Sequence, residues 1–165
     1  MVHDVVTRFR GETLISYDIN ARPVITGTGQ ELVERVERVV ASSDQVKASD
    51  EDLAALYPSL ALADAVHGLL ERGPSAVVVT RGGDGAVWFS SAATVEVSSV
   101  PVQVADTIGA GDTFAAALVD GLIEHGDLTA LDETAVREVL ARAGRAAAVT
   151  VSRPGADPPY AHELV

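Results

Sequence analysis

Apolar and polar positions along the chain follow two rhythms. Thr13-Leu14-Ile15-Ser16-Tyr17 and Gln45-Val46-Lys47-Ala48 are short runs bounded by polar turn residues, and each predicts a strand. Ala76-Val77-Val78-Val79-Thr80 is continuous and largely β-branched, the pattern of a strand covered on both faces, as in a parallel sheet. Ala86 to Phe89 and Ala93 to Val97 add two further strands. Between these runs the period lengthens. Leu32, Val33, Val36, Val39 and Val40 recur at helical spacing within 30–41, with Glu31/Arg35 and Glu34/Arg38 four apart on the solvated side. Leu60, Ala63, Val66, Leu69 and Leu70 outline a second helix, closed by Gly73-Pro74. Phe114 to Ile123 is an apolar helix. Thr134 to Val151 is an alanine-rich one with Val136, Val139, Leu140 and Ala143 on one face. Thr150 to Ala156 reads as a closing strand and turn, and the polar Met1 to Glu12 as a frayed helix end or loop. This alternation predicts an α/β domain with a largely parallel sheet, whose ligands sit outside the carboxyl ends of the strands.

Composition narrows the function. A chain of 165 residues fits one domain with a sizeable core, and 47% hydrophobic with 22% charged residues suits a soluble globular protein. The apolar runs are too short to span a bilayer and none has the signal-peptide pattern, so the expectation is a cytoplasmic protein with no membrane partner. Absence of cysteine excludes disulfides, thiolate metal sites and Cys nucleophiles. A formal charge of −12 argues against a nucleic-acid surface. Lys47 is the single lysine, so no P-loop Gly-x-x-x-x-Gly-Lys is present. A phosphate site here must depend on backbone amides, arginine and a metal ion. His3, His67, His125 and His162 are scattered singly and predict surface positions rather than a metal centre.

The chemistry concentrates in Val104-Ala105-Asp106-Thr107-Ile108-Gly109-Ala110-Gly111-Asp112-Thr113-Phe114. Two glycines let the backbone approach a ligand closely just where a helix begins. The first helical N–H groups lack intrahelical partners and carry the positive end of the dipole, so amides from Gly109 to Asp112 can cradle an anion. Asp112 beside that anion hole is placed to accept a proton from an attacking hydroxyl. Asp and Thr are also the residue types that cap helices, which is the plainer use for Asp112 and Thr113. Ser49 with Asp52 three residues on has the form of a capping box.

The Asp-Thr-x-Gly-Ala-Gly-Asp-Thr-Phe run resembles the C-terminal signature of the ribokinase-like PfkB carbohydrate kinases. Asp18-Ile19-Asn20-Ala21-Arg22-Pro23, Thr80-x-Gly82-x-x-Gly85 and Ser152-Arg153-Pro154-Gly155-Ala156 are similar to further elements of that family in the same order. The resemblance implies a three-layer α/β/α fold. It makes Asp112 the catalytic base, with the amides of Gly109, Ala110 and Gly111 holding the transferring phosphoryl group. It puts Asn20 and Arg22 near the phosphates. Ser49, Thr80, Gly82, Gly85, Gly111 and Gly144 would lie along the nucleotide, Gly144 near the base. Asp52 stands where the family's Asn-x-x-Glu acid organises Mg²⁺ through water; Ser49-x-x-Asp52 shortens the acid and removes the amide. Backbone oxygens of Asp106, Ile108, Thr150, Arg153 and Gly155 would hold a monovalent cation such as K⁺.

The implied reaction is ATP-dependent phosphorylation of a sugar hydroxyl. The Ser-Tyr-Asp-x-Asn-x-Arg-Pro and Ser-Arg-Pro-Gly-Ala wording is most similar to bacterial fructokinases, so the sugar expected is fructose or a related ketose. Residues 1–165 correspond to the nucleotide-binding, C-terminal half of such a domain. The expectation is that the N-terminal half and its lid are absent, to be supplied by a partner chain or a second copy. The competing expectation is a non-catalytic nucleotide-binding or interaction remnant.

Overall fold

The structure, a computed structural model, describes residues 2–164; Met1, Val165 and the side chains of Val2, His3 and Pro23 lie outside the description. The surface position expected of His3, the reading of Met1 within the leading segment and the role of Pro23 in its turn fall on those residues. His67, His125 and His162 are exposed, as the sequence predicts. In chain order the elements are α1 (Val2–Phe9), β1 (Ser16–Asp18), α2 (Pro23–Thr26), α3 (Gln30–Val40), β2 (Gln45–Ser49), α4 (Asp50–Leu56), α5 (Leu62–Leu70) and β3 (Ala76–Thr80). There follow β4 (Ala86–Ser90), β5 (Thr94–Val97), α6 (Ala110–His125) and α7 (Glu133–Val151). The chain divides into two compact units, one running up to Val79 with Phe89–Ala93, the other comprising Thr80–Trp88 and everything from Thr94 onward.

In the first unit β1, β2 and β3 are neighbours in that order, and β1 runs parallel to β2 with Ser16 opposite Gln45, Tyr17 opposite Val46 and Asp18 opposite Lys47. β2 and β3 are buried along their length except at the last residue; in β3 the uninterrupted β-branched and small side chains permit this, whereas in β2 Gln45 and Lys47 are buried with hydrogen-bond partners on Ser16 and Asp18. Val36 and Val40 of α3, Leu53 and Leu56 of α4, and Val66 and Leu69 of α5 close over Val46, Ala48, Val77 and Val79. Three expectations shift here. Leu60 and Ala63 are exposed, and the apolar face of α5 is Leu62, Ala65, Val66 and Leu69. The cause is that Leu60 precedes the helix, its amide closing a turn onto Tyr57 O. β1 begins at Ser16 rather than Thr13, because Ile15 is tied to the turn before β2. Its carbonyl accepts from Asp44 and Gln45, and its N–H donates to Asp44 Oδ2 at 2.8 Å. On α3, Arg35 reaches back to Thr26 O at 3.2 Å and Glu34 accepts from Gln30 at i,i+4, partners other than the expected Glu31/Arg35 and Glu34/Arg38 pairs.

In the second unit β4 and β5 are neighbours. α6 presents Phe114, Leu118 and Leu122 to the core, and α7 presents Val136, Val139, Leu140 and Ala143. Close helix approach depends on Gly121, where a Cβ would stand 3.2 Å from Val139 Cγ1. The expected closing strand is absent. α7 runs through Val151, Ser152 N donates to Ala148 O and Val149 O, and Arg153 N to Thr150 O at 3.1 Å. Nothing breaks the helix until Pro154, and Thr150 suits its interior by bonding back from Oγ1 to Ala146 O.

Candidate functional site

The start of α6 is built by a glycine and a carboxylate. Gly109 is the N-cap in the left-handed conformation, φ +79°, and no side chain caps the helix there. A Cβ there would stand 3.0 Å from that of Ala156, so glycine is needed for both conformation and space. Asp112 sits in the third helical position, exposed, and Thr113 is engaged elsewhere, its Oγ1 accepting from Thr150 Oγ1 at 3.0 Å. The capping use is therefore not the one observed. Ala110 N turns back to Thr107 O and Thr113 N bonds to Gly109 O, leaving the amides between them at the positive end of a 16-residue helix.

Asp106 locks the loop leading into this helix. Its Oδ1 accepts from Ile108 N at 3.0 Å and its Oδ2 from Gly155 N at 3.0 Å, 49 residues away. These bonds, the Ile108 one foremost, hold the carboxyl below the usual aspartate range. Ala105 N and Asp106 N both donate to Val151 O, which fastens the same loop to the end of α7.

Beside the α6 start lies a cleft of about 420 Å³, formed wholly within the second unit. Thr80, Gly82, Gly85, Ala110, Gly111 and Gly144 all line it. Six residues predicted from three separate stretches thus share one wall system, with Asp112 and Gly109 adjoining through the chain. The 82–85 loop turns tightly, with Arg81 N bonded to Gly85 O at 2.8 Å and Gly85 N to Gly82 O at 3.2 Å. Gly85 has φ +94°, and a Cβ would fall 2.0 Å from Val97 O and 2.8 Å from Ser99 N. Gly144 is the opposite case, since its Cβ direction meets nothing within 4 Å. The sequence reading missed the segment Val97 to Val102, which supplies another wall. Its only signal is a run of valines interrupted by Pro101, too irregular to call strand or helix. Ser99 Oγ donates to Gly83 O and ties that wall to the glycine loop.

In the first unit, the Asn20–Arg22 and Ser49–Asp52 elements meet. Ser49 caps α4 by accepting from Asp52 N at 3.0 Å, and Asp52 Oδ2 accepts from Ser49 N at 2.8 Å, completing the capping box. Asp52 Oδ1 takes Ala21 N at 2.8 Å. Asn20 has φ +43°, the sole positive φ among described non-glycine residues. Arg22 is exposed, its guanidinium donating to Ala21 O at 2.9 Å. A larger, mainly apolar hollow of about 650 Å³ in this unit, between α3 and the β1 region, is lined by none of the predicted site residues.

Two ion sites can be tested against donor chemistry. Among the described residues no group of three or more His, Asp or Glu could hold a metal unaided. Mg²⁺, however, is commonly held by phosphates, waters and one or two carboxylates. Asp52, 6% exposed with each oxygen taking one N–H, retains lone pairs for a water. For a monovalent cation, Asp106 brings the 106–108 and 153–155 segments together. Gly155 O accepts one N–H, from Asp157, and keeps a second lone pair, whereas Thr150 O accepts from both Ser152 and Arg153. Asp52 thus fits a water-mediated Mg²⁺ contact, and Gly155 O fits a monovalent cation.

Residues 13–163 match the family described as pfkB family carbohydrate kinase. A fructokinase of Rhizobium leguminosarum bv. trifolii is 36% identical over 143 residues, covering 81% of this chain and 42% of its own length. A fructokinase of Xylella fastidiosa solved with bound ATP is 29% identical at a TM-score of 0.83, covering 94% of this chain and 51% of that one. An Escherichia coli protein provisionally named ribokinase II, in complex with ATP and Mg²⁺, is 28% identical at a TM-score of 0.76, covering 93% and 47%. The chain thus spans about half the length of the relatives it matches. Among the described residues no helix is long and apolar enough to cross a membrane.

Proposed function

The chain belongs to the pfkB family of carbohydrate kinases, with a ribokinase-like α/β fold, and from that we propose that residues 1–165 form the nucleotide-side part of an ATP-dependent sugar kinase, fructose or a related ketose being the acceptor. The observation that carries the reading is one cleft shared by Thr80, Gly82, Gly85, Gly111 and Gly144, opening beside an uncapped helix start and Asp112. Six of the predicted residues gathered in one place are what a nucleotide path ending at a phosphoryl-transfer centre requires.

In the proposed reaction a sugar hydroxyl oxygen forms a bond to the γ-phosphorus of ATP while the bridging oxygen to the β-phosphorus leaves. The hydroxyl proton passes to the Asp112 carboxylate. Amides of Gly109, Ala110 and Gly111 donate to the charge gathered on the transferring group, that of Ala110 by exchanging its 3.3 Å bond to Thr107 O for a phosphoryl oxygen. Arg22 and Asn20 are assigned to the phosphates, and Asp52 to a water-mediated contact with Mg²⁺, which when bound offsets phosphate charge. Main-chain oxygens of Asp106, Ile108, Thr150, Arg153 and Gly155 are assigned to K⁺.

A second reading is a nucleotide-binding or interaction remnant without turnover, favoured by Asp52, both of whose carboxylate oxygens are engaged by backbone amides of Ala21 and Ser49. ADP release by the purified chain, with ATP, Mg²⁺ and K⁺ and each sugar singly, separates the two. Sugar-dependent release that drops by about 10²–10⁴ in Asp112→Asn is the kinase outcome. ATP binding with no sugar-dependent release gives the remnant. Activity indifferent to Asp112 would remove its assignment as base.

A further inference from the structure

Lys47 and Asp18 have no part in the chemistry above, yet they form the most enclosed ion pair of the first unit. Lys47 is 5% exposed and stands opposite Asp18 in the β1–β2 ladder. Its Nζ donates to Asp18 Oδ1 at 3.1 Å and Oδ2 at 2.9 Å. The ladder persists one residue further, where Ile19 N meets Lys47 O at 2.9 Å, and then the chain turns left-handed at Asn20. On the far side of that turn, Asp52 holds Ala21 N at 2.8 Å. The Asn20 corner is therefore gripped immediately before and immediately after. Tyr17 registers both grips, its hydroxyl raised by burial first and then by the charges of Asp18 and Asp52.

A buried ion pair contributes little to folding, because loss of hydration offsets the attraction and apolar pairs of similar volume often replace it without loss. What such a pair does supply is orientation. A non-glycine residue at positive φ persists only where its surroundings over-determine it. We propose that Asp18 and Lys47 are a positioning pair that, together with the Asp52 clamp, sets the left-handed Asn20 corner and so holds Arg22 in the orientation that receives phosphate. The inference rests on the reading of Asn20 and Arg22 as phosphate partners, and its test keeps the two separable.

The probe is tripolyphosphate, a phosphate chain with no base or sugar, titrated calorimetrically into the 165-residue chain and four variants, with thermal midpoints measured in parallel. Asp18→Leu/Lys47→Met removes both charges together, so neither is left buried alone. The expectation is a midpoint equal to or above that of the parent chain with binding about tenfold weaker, as follows when the competent corner falls to a tenth of the population. Asn20→Gly, made alone and with that double substitution, makes the left-handed corner free of strain at the cost of the Asn20 side chain; measured against Asn20→Gly alone, the double substitution should weaken binding by much less than tenfold, which a merely structural pair would not allow. A double variant that binds as the parent does overturns the proposal, and so does one that no longer folds, since the pair would then belong to the core. Arg22→Gln is the control on the underlying reading. If it binds tripolyphosphate undiminished, or the parent chain does not bind it, the phosphate assignment itself falls and takes the positioning role with it.

Discussion

Gly144→Ala is expected to raise stability and lower nucleotide affinity together. Gly144 lies in the interior of α7, half-buried, on the cleft wall, with nothing within 4 Å of where a Cβ would stand. Replacing an unstrained interior helical glycine by alanine stabilises by roughly 0.5–1 kcal/mol, mainly by restricting the unfolded chain. For a chain of this size that corresponds to a rise of about 1–4 °C in Tm. The new methyl projects into the cleft, where a ligand packed against the bare backbone would have to move away. An overpacking penalty of about 1–3 kcal/mol lowers affinity by about 5–150-fold. Gly144→Leu sharpens the contrast by filling more of the space. The assays are differential scanning fluorimetry without ligand, then calorimetric titration with ATP and with tripolyphosphate. Affinity for tripolyphosphate should be untouched, because Gly144 is assigned to the base end. If Gly144→Leu binds ATP as tightly as the parent chain, the base does not lie against α7 and the path assigned to the nucleotide is wrong.

At Gly85 the opposite sign is expected. A Cβ overlapping Val97 O at φ +94° forces backbone to shift, and Gly85→Ala should destabilise by about 2–4 kcal/mol, whereas Gly82→Ala, with open space, should cost about 1 kcal/mol or less; chemical denaturation of the two compares them directly. Asp106 is held below its ordinary range by the Ile108 and Gly155 amides, so its contribution is present above the unfolded value and is lost as pH falls through the lower folded one. Asp106→Asn should therefore lower the thermal midpoint at pH 7 and make little difference in strong acid. Tyr57 is pushed up to about 12 by burial first and then by Glu37, to which its hydroxyl donates at 3.2 Å. Its folded value lies above the unfolded one, so stability is intact below pH 10 and falls between pH 10 and 12. Tyr57→Phe should flatten that part of the profile measured by circular dichroism.

The parts legible in the sequence are those where one residue type has one physical use. The unbroken Ala76–Thr80 run could only be a strand buried on both sides, and it is. Ser49 and Asp52 had the residue types and spacing of a capping box, and both of its hydrogen bonds are present. A helix start just after Gly109 was likewise readable from glycines before an apolar run, but its lack of a side-chain cap was not, since Asp112 and Thr113 are residue types that cap helices. What escaped was decided by partners distant in the chain. Thr150 to Gly155 carry β-branched and turn residues that suit a strand, yet Thr150 and Val151 complete a helix and 152–155 turn away from it, with Thr113 receiving Thr150 and Asp106 receiving Gly155. The valines from 97 to 104 carry no period, and their role as a wall follows only from the approach of Gly85 to Val97. Asp52 looked like a cap or a metal ligand. Its second hydrogen bond, to Ala21 N, joins segments 31 residues apart, and no local pattern announces it.

Burial of the single lysine has a consequence for how this chain meets chemical reagents. With Lys47 enclosed and its ammonium divided between two carboxylate oxygens, the folded protein shows acylating agents no accessible lysine amine. N-hydroxysuccinimide esters should therefore label the folded chain at its α-amino group, and Lys47 only during excursions in which β1 parts from β2. The mass of one added acyl group on one peptide then becomes a clock for that local opening, readable under native conditions with no engineered probe.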